Sequence, residues 1–186
     1  MQKRKPAITT RTMAYCALLA ALSVVLARLM ALMPNPSTRF SIEAIPIFLA
    51  GMFFGPLAGG LVGFTADFVG CLFSPFGYNP LFCIPPILYG VFAGLFRRFL
   101  ANERKPYMAI IRLVISFLPP VVLGSILYQS FALNLVYYDG APAQFLIFLS
   151  TRSIQFAITM VINVVVIHLL MKSKLFHRMG LWPPKY

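Results

Sequence analysis

Acidic residues are scarce in this chain, and their scarcity excludes most kinds of soluble protein. Aspartate and glutamate together number 4 in 186 residues, and charged residues of either sign make up only 11% of the sequence. Hydrophobic residues make up 60%. Because a soluble domain is roughly half apolar and about a quarter charged, the excess apolar surface must face lipid. The composition therefore predicts an integral membrane protein.

The sequence also lacks the common signatures of catalysis and of nucleotide or metal binding. No Gly-x-x-x-x-Gly-Lys-[Ser/Thr] run occurs, so the chain does not bind ATP as a P-loop protein does. The 2 histidines and 3 cysteines have no partners at metal-ligand spacing, which predicts no metal site and no cofactor of the chain's own. Since no nucleophile and base fall at one depth, a small membrane enzyme is only the minor alternative.

The basic residues lie in short clusters beside apolar segments. The formal net charge is +12, but no extended basic surface with interleaved aromatic residues accompanies it, so nucleic acid is not an expected partner. Lysine and arginine clusters of this kind instead orient a chain in the membrane.

Six apolar segments are separated by proline, glycine or charged residues. A helix that crosses a bilayer needs about 20 mostly apolar residues. The predicted spans are residues 11–33, 41–54, 57–73, 81–96, 107–136 and 143–171, in a single membrane domain over 1–186. We thus expect an all-α membrane protein, a bundle of six transmembrane helices. Prolines interrupt three of the spans, at Pro46, at Pro85-Pro86 and at Pro119-Pro120, which indicates an internal cavity, and the last pair predicts a kink.

The distribution of Lys and Arg predicts that both termini are cytoplasmic. With six spans the termini share a side, and this side collects twelve basic residues against one, Arg39, on the other. The twelve are Lys3, Arg4, Lys5, Arg11, Arg97, Arg98, Arg104, Lys105, Lys172, Lys174, Arg178 and Lys185.

Four charged residues lie away from the ends of the predicted spans, where insertion of each costs about 2.5–3.5 kcal/mol. Arg28, Asp67 and Arg152 fall in the outer halves of their spans. Arg112 lies near the inner surface, where its side chain can reach the headgroups. The first three are therefore candidates for a functional site.

Further polar residues of the last two spans point to the same half of the bundle. In the sixth span, Arg152, Gln155, Thr159 and Asn163 follow helical spacing and share one face. Together with polar residues of the fifth span and the outer loop, they predict an outward-facing ligand pocket; the alternative is hydrogen bonding between helices. The candidate substrate-binding residues are Arg28, Asp67, Asn79, Tyr89, Gln129, Asn134, Arg152 and Gln155.

The residue types of this predicted pocket favour a flat, anionic ligand. Arg28 and Arg152 suit carboxylates, which guanidinium groups bind bidentately, and Tyr89 suits an aromatic ring. Glu43, four residues after Arg39, is assigned to an ion pair with it.

Small residues line one face of the first span near its cytoplasmic end. Ala17 and Ala21 have the small-xxx-small spacing that lets another helix approach closely. This spacing favours either packing within the bundle or docking to a partner helix.

Residues 40–70 carry a family resemblance. They read FSIEAIPIFLAGMFFGPLAGGLVGFTADFVG and contain the run Gly-Met-x-x-Gly-Pro-x-x-Gly followed by an aspartate. This stretch resembles the second and third helices of S components, the substrate-binding subunits of energy-coupling factor (ECF) vitamin transporters, and most of all the folate-specific members. The likeness extends over essentially the whole chain.

The resemblance implies a function in vitamin uptake. It implies a subunit of the prokaryotic cell membrane that binds folate in an outward-facing pocket, without catalysis. It also implies a coupling transmembrane subunit and two ATPases as partners, with ATP used by those partners only, and docking through Ala17 and Ala21. Folate's carboxylates would then meet arginine, and its pterin ring would meet aromatic groups and an Asp or Asn. An S component for riboflavin or a thiamine precursor is the alternative.

Overall fold

The computed structural model describes residues 9–31, 42–73, 78–101, 108–138, 142–173, 176 and 180–181. These residues form helices and no strand, which confirms the all-α prediction. The helices are α1 (Thr10–Ala31), α2 (Ala44–Phe54), α3 (Pro56–Leu72), α4 (Ile84–Leu95), α5 (Arg97–Leu100), α6 (Met108–Pro119), α7 (Gln129–Tyr138) and α8 (Pro142–Lys172). A 3-10 turn, Pro80–Cys83, leads into α4, and a π-helical segment, Pro120–Tyr128, joins α6 to α7.

Three stretches of helix are long and apolar enough to cross a membrane. They are Thr10–Leu29, Met108–Tyr138 and Pro142–Lys172. Three shorter apolar helices, Ala44–Phe54, Pro56–Leu72 and Pro80–Leu95, complete the bundle. By length alone the short helices do not establish six crossings, so the count of six spans stays a prediction.

Helices α2, α3 and α4 form the most tightly packed part of the bundle because glycines meet where they cross. A Cβ on Gly90 of α4 would overlap the backbone carbonyl of Gly59 in α3, and a Cβ on Gly51 of α2 would overlap the carbonyl of Gly90. In lipid, the hydrophobic effect does not favour association of helices. Van der Waals contact between closely approaching backbones is therefore a main interaction that holds such helices together. Helix α2, buried from Ala44 to Phe53, lies at the centre of this packing.

The turn between α2 and α3 consists of one residue, Gly55. Its φ of 98° lies in the left-handed region that favours glycine, and its N–H donates to the carbonyl of Gly51. Pro56 then occupies the first position of α3, where a missing N–H leaves no helical hydrogen bond unmade.

The proline pair in the fifth predicted span changes the helix type. The π-helical segment begins at Pro120, and at its end the N–H of Gln129 donates to the carbonyl of Gly124, five residues earlier. Pro120 has no N–H to continue the α-helical pattern, which explains a change at this position. The wider turns place the following residues against α4 and α8.

Candidate functional site

A cavity of about 680 Å³ lies at one end of the helix bundle. It is bordered by the C-terminal parts of α1 and α3, the N-terminal parts of α2, α4 and α8, and one side of the π-helical segment and α7. Its volume is in the range of small-molecule sites. The polar residues that line it are Ser23, Arg28, Glu43, Asp67, Cys71, Tyr89, Ser125, Gln129, Thr151, Arg152 and Gln155.

Six of the eight predicted substrate-binding residues therefore line one cavity. They come from five different parts of the chain, and the fold brings them together. The six are Arg28, Asp67, Tyr89, Gln129, Arg152 and Gln155.

Arg28 joins α1 to the last turn of α3. Its guanidinium donates to the backbone carbonyl of Gly70 in the last turn of α3, a carbonyl that also accepts from the N–H of Phe73. Its Nε is buried and has no hydrogen-bond partner. Arg28 thus lines the cavity with a guanidinium that the end of α3 holds in place.

Asp67 supplies a carboxylate to the same cavity. It follows Ala66 on α3, and its Oδ2 is buried without a hydrogen-bond partner. A buried carboxylate oxygen without a partner is costly.

The polar stripe of α8 divides into two parts. Arg152 and Gln155 line the cavity, and the guanidinium of Arg152 lies 5.9 Å from the centre of the Phe156 ring. Thr159 and Asn163 are buried further along the helix, and the Thr159 hydroxyl donates to the carbonyl of Gln155. Only the first half of the stripe is placed to contact a ligand.

Tyr89 lies at the inner limit of the cavity and is paired with a serine of the π-helical segment. Its hydroxyl is 3.0 Å from that of Ser125. Its ring packs against Phe117 at a centroid distance of 6.0 Å, and Phe117 stacks on Phe48 at 4.0 Å. This aromatic cluster closes the cavity on the side of the bundle interior.

Two predicted binding residues do not line the cavity. The Asn79 side chain accepts a hydrogen bond from the backbone N–H of Leu81 and so caps the 3-10 turn. Asn134 is buried on α7, on another face from Gln129 and Leu133, which do line the cavity. Both asparagines lie at the predicted depth along the chain. Asn79 is instead used to cap a turn, and Asn134 lies on a face of α7 that does not line the cavity.

The sequence reasoning overlooked Glu43 as a cavity residue. Its predicted partner, Arg39, lies outside the described residues, whereas Glu43 itself lines the cavity. The charged lining is therefore Arg28 and Arg152 with Glu43 and Asp67, and not two arginines with one acid. The signal was present in the sequence, because Glu43 is one of only 4 acidic residues.

Ala17 and Ala21 lie outside the cavity, on the opposite part of α1. Both are exposed on the surface of the bundle, as are their neighbours Ala14 and Leu18. The cavity residues of α1 begin only at Ser23. The small-residue face is thus open to a partner and separate from the candidate ligand site.

Comparison with known proteins assigns the chain to a family. Residues 7–174 match the family model described as ECF-type riboflavin transporter, S component. The chain is an ECF S component. This membership confirms the family predicted from residues 40–70, and it means that this S component is a membrane transporter subunit and not an enzyme.

Two relatives refine the comparison. The Folate transporter FolT of Clostridium novyi (strain NT) is 35% identical over 85 residues, which is 45% of this S component and 49% of the relative. The match thus spans about half the length of that curated relative. A structure described as FolT bound with folic acid superimposes with a TM-score of 0.68 at 28% identity, covering 87% of this chain and 94% of that one.

Proposed function

We propose that this S component binds folate in the cavity and presents it for import by an ECF transporter. The observation that carries the proposal is the cavity itself, with two arginines and two carboxylates inside a fold similar to that of a folate-bound relative. The roles of the individual cavity residues are part of the proposal.

The charge pattern of the cavity suits the chemistry of folate. Folate carries two carboxylates at its glutamate end, and its pterin ring carries N–H donors at the other end. Arg28 and Arg152 would bind the carboxylates, since guanidinium recognises them with paired hydrogen bonds. Asp67 and Glu43 would accept hydrogen bonds from the ring, because both residues line the cavity.

Riboflavin is the second candidate, because the family model that matches the chain carries the name of riboflavin transporters. Riboflavin has a flat ring and a neutral polyhydroxyl chain but no carboxylate. Riboflavin would then offer no anion to Arg28 and Arg152, whereas folate can give each guanidinium charge-assisted hydrogen bonds to a carboxylate. We therefore favour folate.

The proposal includes the topology and the partners. Six helices would cross the cell membrane with both termini in the cytoplasm, as the Lys and Arg distribution predicts, so that the cavity faces outward. The exposed face of Ala17 and Ala21 would pack against the coupling transmembrane subunit, which two ATPases drive. The chain would need no cofactor, because its partners use the ATP.

Ligand binding by the isolated chain tests the proposal. The S component is purified in detergent, any small molecule that accompanies it is identified by mass spectrometry, and folic acid and riboflavin are titrated calorimetrically. We expect stoichiometric folate binding and, for riboflavin, binding at least about tenfold weaker, as the loss of one charged hydrogen bond implies. Tight binding of riboflavin and none of folic acid would replace folate by riboflavin as the substrate.

A further inference from the structure

Two hydroxyl groups lie at the inner limit of the cavity, that of Tyr89 on α4 and that of Ser125 on the π-helical segment. Among the described residues, they are the only polar side chains that these two elements contribute to the cavity. Cavity residues of α4 run from Pro85 to Tyr89, and the helix continues beyond them into the bundle interior. Ser125 is likewise the innermost cavity residue of its segment, with Gln129 one turn nearer the opening. A ligand that reaches the inner limit of the cavity on this side would contact these two side chains.

The two hydroxyls leave one hydrogen without an acceptor. Tyr89 and Ser125 are 6% and 2% exposed, and their oxygens are 3.0 Å apart, so one O–H donates to the other. A phenol is the more acidic hydroxyl and an alkyl hydroxyl the better acceptor, which makes Tyr89 the donor. The hydrogen of Ser125 then remains. The hydroxyls of Ser116 and Ser153 donate to backbone carbonyls four residues earlier, but Ser125 has no such bond.

The local fold holds this pair in place. Gly124 lies against α4, where an added Cβ would come within 3.3 Å of the Cα of Pro85, so only a small residue permits this approach of the π-helical segment. The Tyr89 ring packs on Phe117, which is fully buried, and both hydroxyl-bearing residues are themselves buried. In such an environment a hydrogen bond is strong and an unmade one is costly.

We propose that Ser125 is a specificity-determining residue whose hydroxyl donates a hydrogen bond to an acceptor atom on the heteroaromatic ring of the ligand, and that Tyr89 positions it. This inference rests on the proposed function. The acceptor is a ring nitrogen or carbonyl, because the arginines that suit carboxylates lie nearer the opening. The innermost cavity residue of α1 is Ser23, and Arg28 lies five residues nearer the opening, about 7.5 Å along the helix axis. The innermost cavity residue of α8 is Phe156, and Arg152 lies one turn nearer the opening.

The test compares folic acid with 4-aminobenzoyl-glutamate, the half of folic acid that carries both carboxylates but no pterin. Both are titrated into the detergent-purified full chain and into Ser125→Ala, Tyr89→Phe and the double variant. Ser116→Ala is the matched control, because this serine is fully buried and its hydroxyl bonds within its own helix. Thermal unfolding of each variant without ligand verifies that it is folded.

We expect Ser125→Ala to weaken the binding of folic acid about tenfold, as one hydrogen bond of ordinary strength implies. The affinity for 4-aminobenzoyl-glutamate should stay unchanged. Tyr89→Phe should weaken the binding of folic acid less than Ser125→Ala does. In the double variant the additional effect of Tyr89→Phe should vanish, because Tyr89 acts through Ser125. Unchanged folic acid affinity in Ser125→Ala, or equal losses for both compounds, would overturn the inference while leaving the proposed function intact. A parent chain that binds no folic acid would overturn the proposed function as well.

Discussion

At the scale of the residue, two arginines of similar sequence context have different surroundings. Arg112 lies near the start of α6, with its guanidinium 5.9 Å from the centre of the Phe99 ring. Arg152 lines the cavity and packs on Phe156. Both contact an aromatic ring, so cation-π contact does not distinguish them, whereas access to the cavity does.

We therefore expect Arg152→Ala to weaken folic acid binding about 10- to 100-fold, the effect of removing a charged hydrogen bond, and Arg112→Ala to leave it unchanged. Calorimetric titration of the two purified variants measures this. Arg112→Ala is the matched control, because it removes the same side chain from another apolar helix. The reverse order of effects would place the ligand away from the cavity.

The sequence predicted the charged residues deep in the spans better than it predicted the asparagines and serines of the site. Arg28, Asp67 and Arg152 stand out because a charge within a span is costly and needs a reason. Asn79 and Asn134 carry no such constraint, and an amide can equally cap a turn or lie between helices, as these two do. Nothing in the sequence singled out Ser125, since its role depends on the neighbouring Tyr89 from another helix.

At the scale of the element, glycine and proline decide how the helices meet. The predicted change of the fifth span at its proline pair is confirmed, because the π-helical segment begins at Pro120. The predicted interruptions at Pro46 and at Pro85-Pro86 are wrong, because these prolines lie in the first turns of α2 and α4, where a helix tolerates proline. The π-helical geometry itself was not predictable, because a proline pair is also compatible with a simple kink. The crossing of α3 and α4 at Gly59 and Gly90 requires the tertiary structure to be recognised.

This crossing predicts opposite outcomes for two glycine-to-alanine substitutions. Gly90→Ala places a methyl group on the backbone of Gly59 and should destabilise the bundle by roughly 1–3 kcal/mol, as overpacking does. In Gly60→Ala the new Cβ would lie 3.1 Å from a methyl group of the Val91 side chain, and a shift of a few tenths of an ångström relieves this contact. The better helix propensity of alanine, about 1 kcal/mol, should then leave this control as stable as the parent or more so.

Thermal unfolding of both variants in the same detergent measures the difference. The melting temperature of Gly90→Ala should fall below that of the parent, and that of Gly60→Ala should not. Equal melting temperatures would mean that α3 and α4 can separate at little cost, and close backbone contact would no longer explain how the short helices are held.

At the scale of the whole molecule, the candidate ligand site and the small-residue face lie apart on α1. Ala17 is eleven residues from Arg28, about 16 Å along the helix axis. The family to which the chain belongs consists of transporter subunits, which act together with partners. Among the described residues of α1, none before Ser23 lines the cavity. Ligand binding and partner docking should therefore be separable by mutation.

We expect Ala17→Trp and Ala21→Trp to bind folic acid as the parent does and yet fail to assemble with the coupling subunit. A tryptophan on this exposed face would hold a partner helix several ångströms away, and close packing is the main force that joins helices in lipid. The dissociation constant of the isolated chain and pull-down of the partner subunits measure the two properties, and ATP-driven uptake should fall together with assembly. Val161→Trp is the control. Val161 is 62% exposed on α8, so this substitution adds the same side chain to another surface of the bundle. If the Ala17 and Ala21 variants lost folate binding while assembling normally, this face of α1 would belong to the ligand site and not to a docking surface.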